Sequence, residues 1–522
     1  MTASARAATA TLVVLLVFLA QAAFYSRTLV PSENENSYLG LGLLTVTGQI
    51  SLYQDELTGQ RLPLPFYVFG ASQLLFGRNL WAGRLVSIVF GAAVVVLTMY
   101  LAFRLAGPMA GWLAGLLLAT QGAVVSYYSI AAYHAWSALL LLAAVTLLVA
   151  GGRYRAVYGM AAAALTPVSR TNMIGAVPYL WLWAMRIATG TRQRILATLV
   201  VVAPFVVFLV SDPRHVKLFA HIPVLNRLVA PLGYRSIVYF EALEVESWTT
   251  QLWSLVRFAR RFESWALAAA VLLLVLLLLA LRGARPASFW SSNELAVAGL
   301  AVWMLAWHCF MFWMNLKWVI AYFPDFAPLF AVVLGTTAAR LLGQPRLKSY
   351  ERRVLVGGLA LACVVSVVFV RSPMMPRPIP RPFVDDSVQR VERAAAKLAA
   401  IVPPGERVFL VGPSIGVYLS GRVAYLQQMM APGTLVARDG EPSLITKSGV
   451  WGRVEIDRWL GQDVRYAVVT PALLEGLKPS RPDAIGQIQS LLRDRFERIA
   501  VLDDEPTTAY DVYRRRDVKA GS

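Results

Sequence analysis

Acidic residues are scarce where this sequence is most apolar: of the 30 Asp and Glu in 522 residues, 12 precede position 372. Cysteine is scarcer still. The two present, Cys309 and Cys363, both lie in apolar runs, which excludes a disulfide framework and offers no thiolate metal site. No cluster of ligands at metal-binding spacing stands out either, so no tightly bound cofactor is expected and a divalent cation is left open. The glycine-bearing segment VGPSIG, residues 411–416, follows a candidate strand but lacks both G-x-G-x-x-G and a P-loop lysine, which argues against a nucleotide site there.

What the sequence has in abundance is hydrophobicity, at 57% of residues with a mean hydropathy of +0.57. Because ~20 apolar residues cross a bilayer as a helix, the repeated apolar runs describe a polytopic membrane protein and exclude a soluble fold. Eleven spans are expected, roughly 9–26, 80–104, 109–128, 134–150, 155–168, 172–186, 195–211, 264–281, 294–313, 318–339 and 354–371. The first run, Thr11 to Tyr25, is followed by no small-residue cleavage site and reads as a retained anchor rather than a signal peptide.

Charge sets the orientation. With the N-terminus cytoplasmic, the inside segments collect Arg6, Arg104, Arg153, Arg155, Arg186, Arg192, Arg194, Arg282, Arg285, Arg340, Arg346, Lys348, Arg352 and Arg353 against Glu294 and Glu351. That bias follows the positive-inside rule and predicts a multi-pass protein of the cytoplasmic membrane. Much of the +19 net charge is therefore topological and is no nucleic-acid footprint: 28 basic and 12 acidic residues lie up to Arg371, against 21 and 18 beyond it. An odd number of spans places the 31–79 loop, the 212–263 loop and everything after Arg371 outside. The rule does not call for basic residues there, so Arg170, Arg214, Lys217, Arg257, Arg260 and Arg261 are candidate contacts for an anionic ligand. For the last three, spaced on one helical face, lipid headgroups are an equal alternative.

After Arg371 the character changes. RSPMMPRPIPRPF, residues 371–383, carries five prolines and predicts a stiff extended connector at 372–383. It separates a transmembrane domain (1–371) from a small extracytoplasmic α/β domain (384–522). Helices are expected at Ser387 to Ile401 and Ile485 to Phe496. Strands are expected at Arg407 to Val411 and Val464 to Thr470, with a terminal pair at Arg498 to Asp503 and Ala509 to Arg514.

The stretch Pro31 to Arg84 holds Glu33, Glu35, Asp55 and Glu56, four of the twelve acids before residue 372. Acids gathered in the first outer loop of a lipid-soluble chain point toward a substrate. A sugar leaves a lipid phosphate with little acid assistance, since the phosphate departs as a stable anion. The reaction needs a base for the incoming hydroxyl and positive charge for the phosphate. The bland reading of Glu33-Asn34-Glu35-Asn36 is a solvated turn capping a short interfacial helix, and that of Asp55-Glu56 a solvated turn.

Taken in order, Asn34-Glu35 with Tyr38, Pro63-Leu64 with Tyr67, Leu75-Phe76-Gly77, and Arg84-Leu85 entering the second span resemble the GT-C glycosyltransferases. Within these, the set is most similar to the bacterial group related to protein O-mannosyltransferases and the lipid A aminoarabinose transferase. The match covers residues 1 to about 190, and later spans by pattern. The resemblance implies a mainly α, multi-span helical bundle with interfacial helices in the first loop and a C-terminal α/β domain. It also implies a polyprenyl-phosphate-sugar donor, a glycan, lipid or protein acceptor among the membrane lipids, a first-loop acid as catalytic base, and Tyr38, Arg84 and Tyr322 among the substrate-binding residues.

This sequence departs from the family pattern at several of the positions that matter. The usual Asp-Glu pair is Asn34-Glu35 with Glu33 before it, so the base is Glu35 by alignment, with Glu33 kept beside it. A second acidic position at the start of the fourth span is matched by His134, which would hold a phosphate or the acceptor or share the base role; an interface histidine beside Tyr133 and Trp136 is the alternative. Arg170 matches the basic position after the fifth span and would face the phosphate. Near the tenth span Ala321-Tyr322 replaces the usual Arg-Tyr, and Lys317 stands in for the missing arginine without its bidentate fork. His308, among Trp303, Trp307, Phe310 and Trp313, reads as a core histidine within a packing belt. Two rival functions are a transporter, for which no repeated halves are found, and a non-enzymatic scaffold presenting the tail, which would need no acidic loop.

Overall fold

A computed structural model of the chain describes residues 3–31, 33–50, 63–211, 289–313, 322–345, 348–368, 387–426, 428–429, 451–502 and 509–516, with a few isolated positions besides. The expected span at 264–281, the proline-rich connector, Asp55, Glu56, Lys317, Arg214, Lys217, Arg257, Arg260 and Arg261 lie outside the described residues. The chain folds as two compact units. One combines Met1–Ser26, Leu85–Ser211 and Val245–Pro382; the other combines Arg27–Arg84, Asp212–Glu244 and Phe383–Ser522, so the first loop belongs with the tail.

The first unit is helical. Helix α1 (Ala3–Thr28) begins in it, and α2 (Leu80–Ala106) runs mostly through it. Both, together with Ser292–Met311, are long and apolar enough to cross a membrane. The chain is a multi-pass membrane protein. The straight span expected over 109–128 is instead two helices, α3 (Pro108–Ala119) and α4 (Gly122–Tyr128), bent by 74°. The break falls at Thr120 and Gln121, where Gln121 leaves helical geometry at ψ 85°. Thr120 turns its hydroxyl back to the Leu116 carbonyl at 2.8 Å, a local bond that helps end the helix.

Helices α5 (His134–Ala150), α6 (Arg155–Ser169), α7 (Ala176–Ile187) and α8 (Thr191–Ser211) follow close to their expected bounds, although a 3₁₀ turn over Thr171–Gly175 precedes α7. Then come α9 (Ser292–Trp313), α10 (Ala327–Leu342) and α11 (Ser349–Val368). Helix α10 crosses α3 at Gly335, where an added Cβ would lie 2.6 Å from the Ala114 amide nitrogen. Small residues at such crossings let two backbones approach closely where lipid offers no competing hydrophobic drive. Glu294, one of two acids in the arginine-rich segments, is held by a bidentate fork from Arg340 at 2.6 Å.

In the second unit the first loop is ordered into short helices. These are a single turn at Glu33–Asn36, a π-helical turn at Ser37–Leu41, a further turn at Gly42–Val46, and the longer Pro63–Phe76. The turn at 42–46 packs on Pro63–Phe76 through Gly42, whose Cβ would meet the Phe66 carbonyl at 2.7 Å.

The tail supplies a five-stranded sheet of order β2-β1-β3-β5-β4. Its strands are β1 (Arg407–Val411), β2 (Val423–Ala424), β3 (Tyr466–Val469), β4 (Phe496–Leu502) and β5 (Tyr510–Arg515). Strands β2, β1 and β3 run parallel, and β5 and β4 are antiparallel. Helices Ser387–Ile401 and Pro482–Arg495 accompany the sheet. Phe409, Trp459, Ile485, Ile488 and Phe496 form its core, with Tyr425 stacked on Trp459 at 4.2 Å. The glycines of VGPSIG serve packing: a Cβ at Gly412 would meet Thr470 Oγ1 at 2.6 Å, and one at Gly416 would meet the Tyr510 hydroxyl at 2.7 Å.

Candidate functional site

Each unit holds a buried polar cluster that the apolar helices around it do not require. In the first unit the cluster forms where α5 begins. His134 opens that helix and is fully buried, with Nδ1 2.7 Å from Asp325 Oδ1. The carboxylate accepts, so Nδ1 carries the proton and Nε2 presents a lone pair in the neutral ring. No described residue hydrogen-bonds that Nε2. Asp325 is also fully buried, and its second oxygen, Oδ2, has no partner among the described residues. The segment is fixed by Tyr128, which donates to the Pro324 carbonyl at 2.7 Å.

Arg170 closes helix α6 in extended geometry, φ −158° and ψ 130°, which breaks the helix and swings the side chain away from its axis. Its guanidinium lies against two rings set edge to face, 3.6 Å from the centroid of Tyr133 and 4.2 Å from that of Tyr322. Each face contributes about 0.5–2 kcal/mol, with the upper end reached where water is excluded. The two rings hold the guanidinium in place, and its planar fork is of the kind that pairs with a phosphate. Tyr133 also packs on His134 at 4.1 Å, so arginine, histidine and aspartate form one group.

His308 behaves as a core histidine. Its Nδ1 donates to the Met304 carbonyl at 2.7 Å, its Nε2 accepts from the Asn172 amide at 3.0 Å, and its ring stacks on Phe326. Trp303 and Trp307 likewise serve packing, donating to the Gly175 and Asn172 carbonyls at 2.6 and 2.8 Å.

In the second unit the first-loop acid is clamped. Glu35 is fully buried and meets Arg84 in a bidentate fork, Nε to Oε1 and Nη2 to Oε2, both at 2.8 Å. Arg84 is itself fully buried and also donates from Nη1 and Nη2 to the Leu29 carbonyl at 3.1 Å. A carboxylate expected to act as base thus has both oxygens in the fork of an arginine expected to bind substrate. Glu33 opens the same turn, and its side chain lies outside what is described. Tyr38 is buried, its ring against Phe66 at 5.3 Å and Phe69 at 6.0 Å, inside the apolar core of the loop.

Next to Glu35, the amide of Asn36 donates to Ser414 Oγ and, at 2.5 Å, to the Met429 carbonyl. Gln73 accepts from the Tyr418 hydroxyl at 2.9 Å. Burial pushes the Tyr418 phenol up, beyond the usual tyrosine range, so it donates at any ordinary pH. The tail therefore holds the first loop at Asn36 and at Gln73.

The expected set divides accordingly. His134, Arg170 and Tyr322 come together in one unit, Glu35, Arg84 and Tyr38 in the other, and Lys317 falls outside the described residues. Sequence reasoning passed over Asp325, although a lone acid inside the apolar 318–339 run is itself a functional signal. Asn36 and Ser414 carried no such signal.

No protein-family model and no curated protein matches the chain. Solved structures do. ArnT from Cupriavidus metallidurans, bound to undecaprenyl phosphate, aligns over 100% of both chains with a TM-score of 0.61 at 14% identity. The apo oligosaccharyltransferase of Archaeoglobus fulgidus aligns over 92% of this chain and 72% of its own, with a TM-score of 0.46 at 10% identity. The mycobacterial arabinofuranosyltransferase AftD aligns over 99% of this chain and 40% of its own, with a TM-score of 0.48 at 15% identity. Helical bundle, ordered first loop and small terminal sheet together give this chain the fold of the GT-C membrane glycosyltransferases.

Proposed function

We propose that this protein transfers a sugar from a polyprenyl-phosphate donor to an acceptor hydroxyl at the outer face of the cytoplasmic membrane. The observation that carries the reading is the buried His134–Asp325 pair with the half-buried Arg170 beside it, set among apolar helices. Burying ionisable side chains in a membrane protein costs free energy, and function is the usual reason for it. Arg170, held against Tyr133 and Tyr322, supplies the positive charge that a departing lipid phosphate needs. Lys317 is assigned a second phosphate contact and Tyr322 the positioning of Arg170. Undecaprenyl phosphate, the lipid bound in the ArnT structure, is the donor carrier to try first.

Glu35 and Arg84 neutralise one another in this reading and shape the first loop. The tail, placed outside the membrane with that loop, guides the acceptor. The test is transfer of labelled sugar from a panel of polyprenyl-phosphate donors in membranes holding wild type or Arg170→Ala. Transfer by wild type with loss of donor binding in the variant supports the reading; equal binding by the two removes Arg170 from it.

A further inference from the structure

Sugar transfer to a hydroxyl needs a proton acceptor, and the geometry points to His134, with Asp325 as its positioning residue. The proposal rests on the glycosyltransferase reading above and deepens it. Three observations carry it. First, both oxygens of Glu35 are held in the Arg84 fork, whereas a base must present a lone pair to the hydroxyl it deprotonates. Second, the 2.7 Å contact from His134 Nδ1 to Asp325 fixes the ring in the tautomer whose Nε2 is the acceptor. Third, Asp325 keeps a buried oxygen, Oδ2, without a partner among the described residues, which an acid placed only for packing would not do.

The step balances without a co-reactant. The acceptor O–H gives its proton to His134 Nε2 as its oxygen bonds to the anomeric carbon of the sugar. The bond from that carbon to the phosphate oxygen breaks, and its electron pair leaves with the polyprenyl phosphate. Asp325 stabilises the imidazolium that forms, Arg170 faces the phosphate that departs, and the proton passes to solvent afterwards.

The experiment uses the full-length protein with a polyprenyl-phosphate sugar as donor, and undecaprenyl phosphate as the binding probe. The variants are His134→Asn, Asp325→Asn, their double and Glu35→Gln. Asparagine at 134 keeps an N–H for Asp325 and removes the base, so the fold is retained; monodispersity in detergent and probe affinity check this. His134→Asn is expected to lower kcat by about 10²–10⁴-fold, the range of a lost general base, with acceptor KM and probe affinity within about twofold of wild type. Asp325→Asn should lower kcat alone and add nothing in the His134→Asn background, because it acts through that ring. A purely structural role would move affinity and stability and would multiply.

His134→Asn retaining more than a tenth of wild-type kcat overturns the proposal, as does full multiplication of the two losses. The same holds if Glu35→Gln abolishes turnover while His134→Asn does not. Wild type transferring from no donor in the panel overturns the glycosyltransferase reading together with this one.

Discussion

Removing one side of the Glu35–Arg84 pair should harm the protein more than removing both. The two groups are fully buried and joined by two 2.8 Å bonds. Glu35→Gln replaces an accepting oxygen with an N–H that faces the Arg84 fork and leaves the guanidinium without the negative charge that balances it. Breaking a buried pair in this way costs about 3–5 kcal/mol, because an uncompensated charge stays behind. Set against a typical total of about 5–15 kcal/mol, that is enough to lower the folded yield severely. Arg84→Met leaves the opposite charge and should cost a similar amount.

The double variant Glu35→Gln with Arg84→Met leaves neither charge, and replacing both members of such pairs is commonly near neutral. The assay is thermal denaturation of detergent-purified protein, followed by probe binding and sugar transfer at a temperature where each variant is folded. The expected order of stability is wild type, double, then the singles, with the double retaining donor binding and measurable turnover. Singles as stable as wild type, or a double worse than the sum of its singles, would refute the reasoning. A stable double that binds donor but transfers nothing would return the base to Glu35.

Arg170→Lys should bind undecaprenyl phosphate more weakly than wild type, because a point charge neither stacks against Tyr133 and Tyr322 nor offers a fork; titration of both proteins with the probe reads the difference. Ser414→Ala should cost about 1–3 kcal/mol by leaving the Asn36 amide short of a partner, visible as faster proteolysis within residues 33–50 while the isolated sheet core stays protected. Cutting the chain near Pro382 removes Ser414, Met429 and Tyr418 together, and should abolish transfer and leave the first loop protease-sensitive, as gel analysis of truncated membranes would show. Gly335→Val should lower the folded yield in detergent, since an added Cβ alone already comes within 2.6 Å of the Ala114 backbone and overpacking costs about 1–3 kcal/mol or more.

Local physics was legible from the residues alone. Helix α5 begins and ends where its apolar run does, and β1 coincides with the RVFLV run, because burial on both faces leaves an uninterrupted signal. The bend at Thr120–Gln121 was not legible: hydropathy averages over ~19 residues and is blind to two polar side chains near its middle. Asp325 was within reach but was absorbed into an expected span. His134 and Arg170 were found as members of a pattern, yet their joint geometry depends on a residue 191 positions away from the histidine. The pairing of Glu35 with Arg84 and of Asn36 with Ser414 could not be read at all, since nothing in a chain's order announces which buried polar groups will find one another across 49 residues or 378.

That last contact also sets a clock. Asn36 and Ser414 are separated by 378 residues, so at ribosomal rates of about 5–20 residues per second the first loop waits roughly 20–75 s for its partner to be made. During that interval the first loop lacks both of its contacts with the tail, and a nascent protein that has already inserted its early helices holds that loop unfinished. Completion of the first loop is thereby deferred to the end of synthesis, and a ribosome that stalls midway leaves behind a fragment in which Asn36 and Gln73 have no tail to hold them.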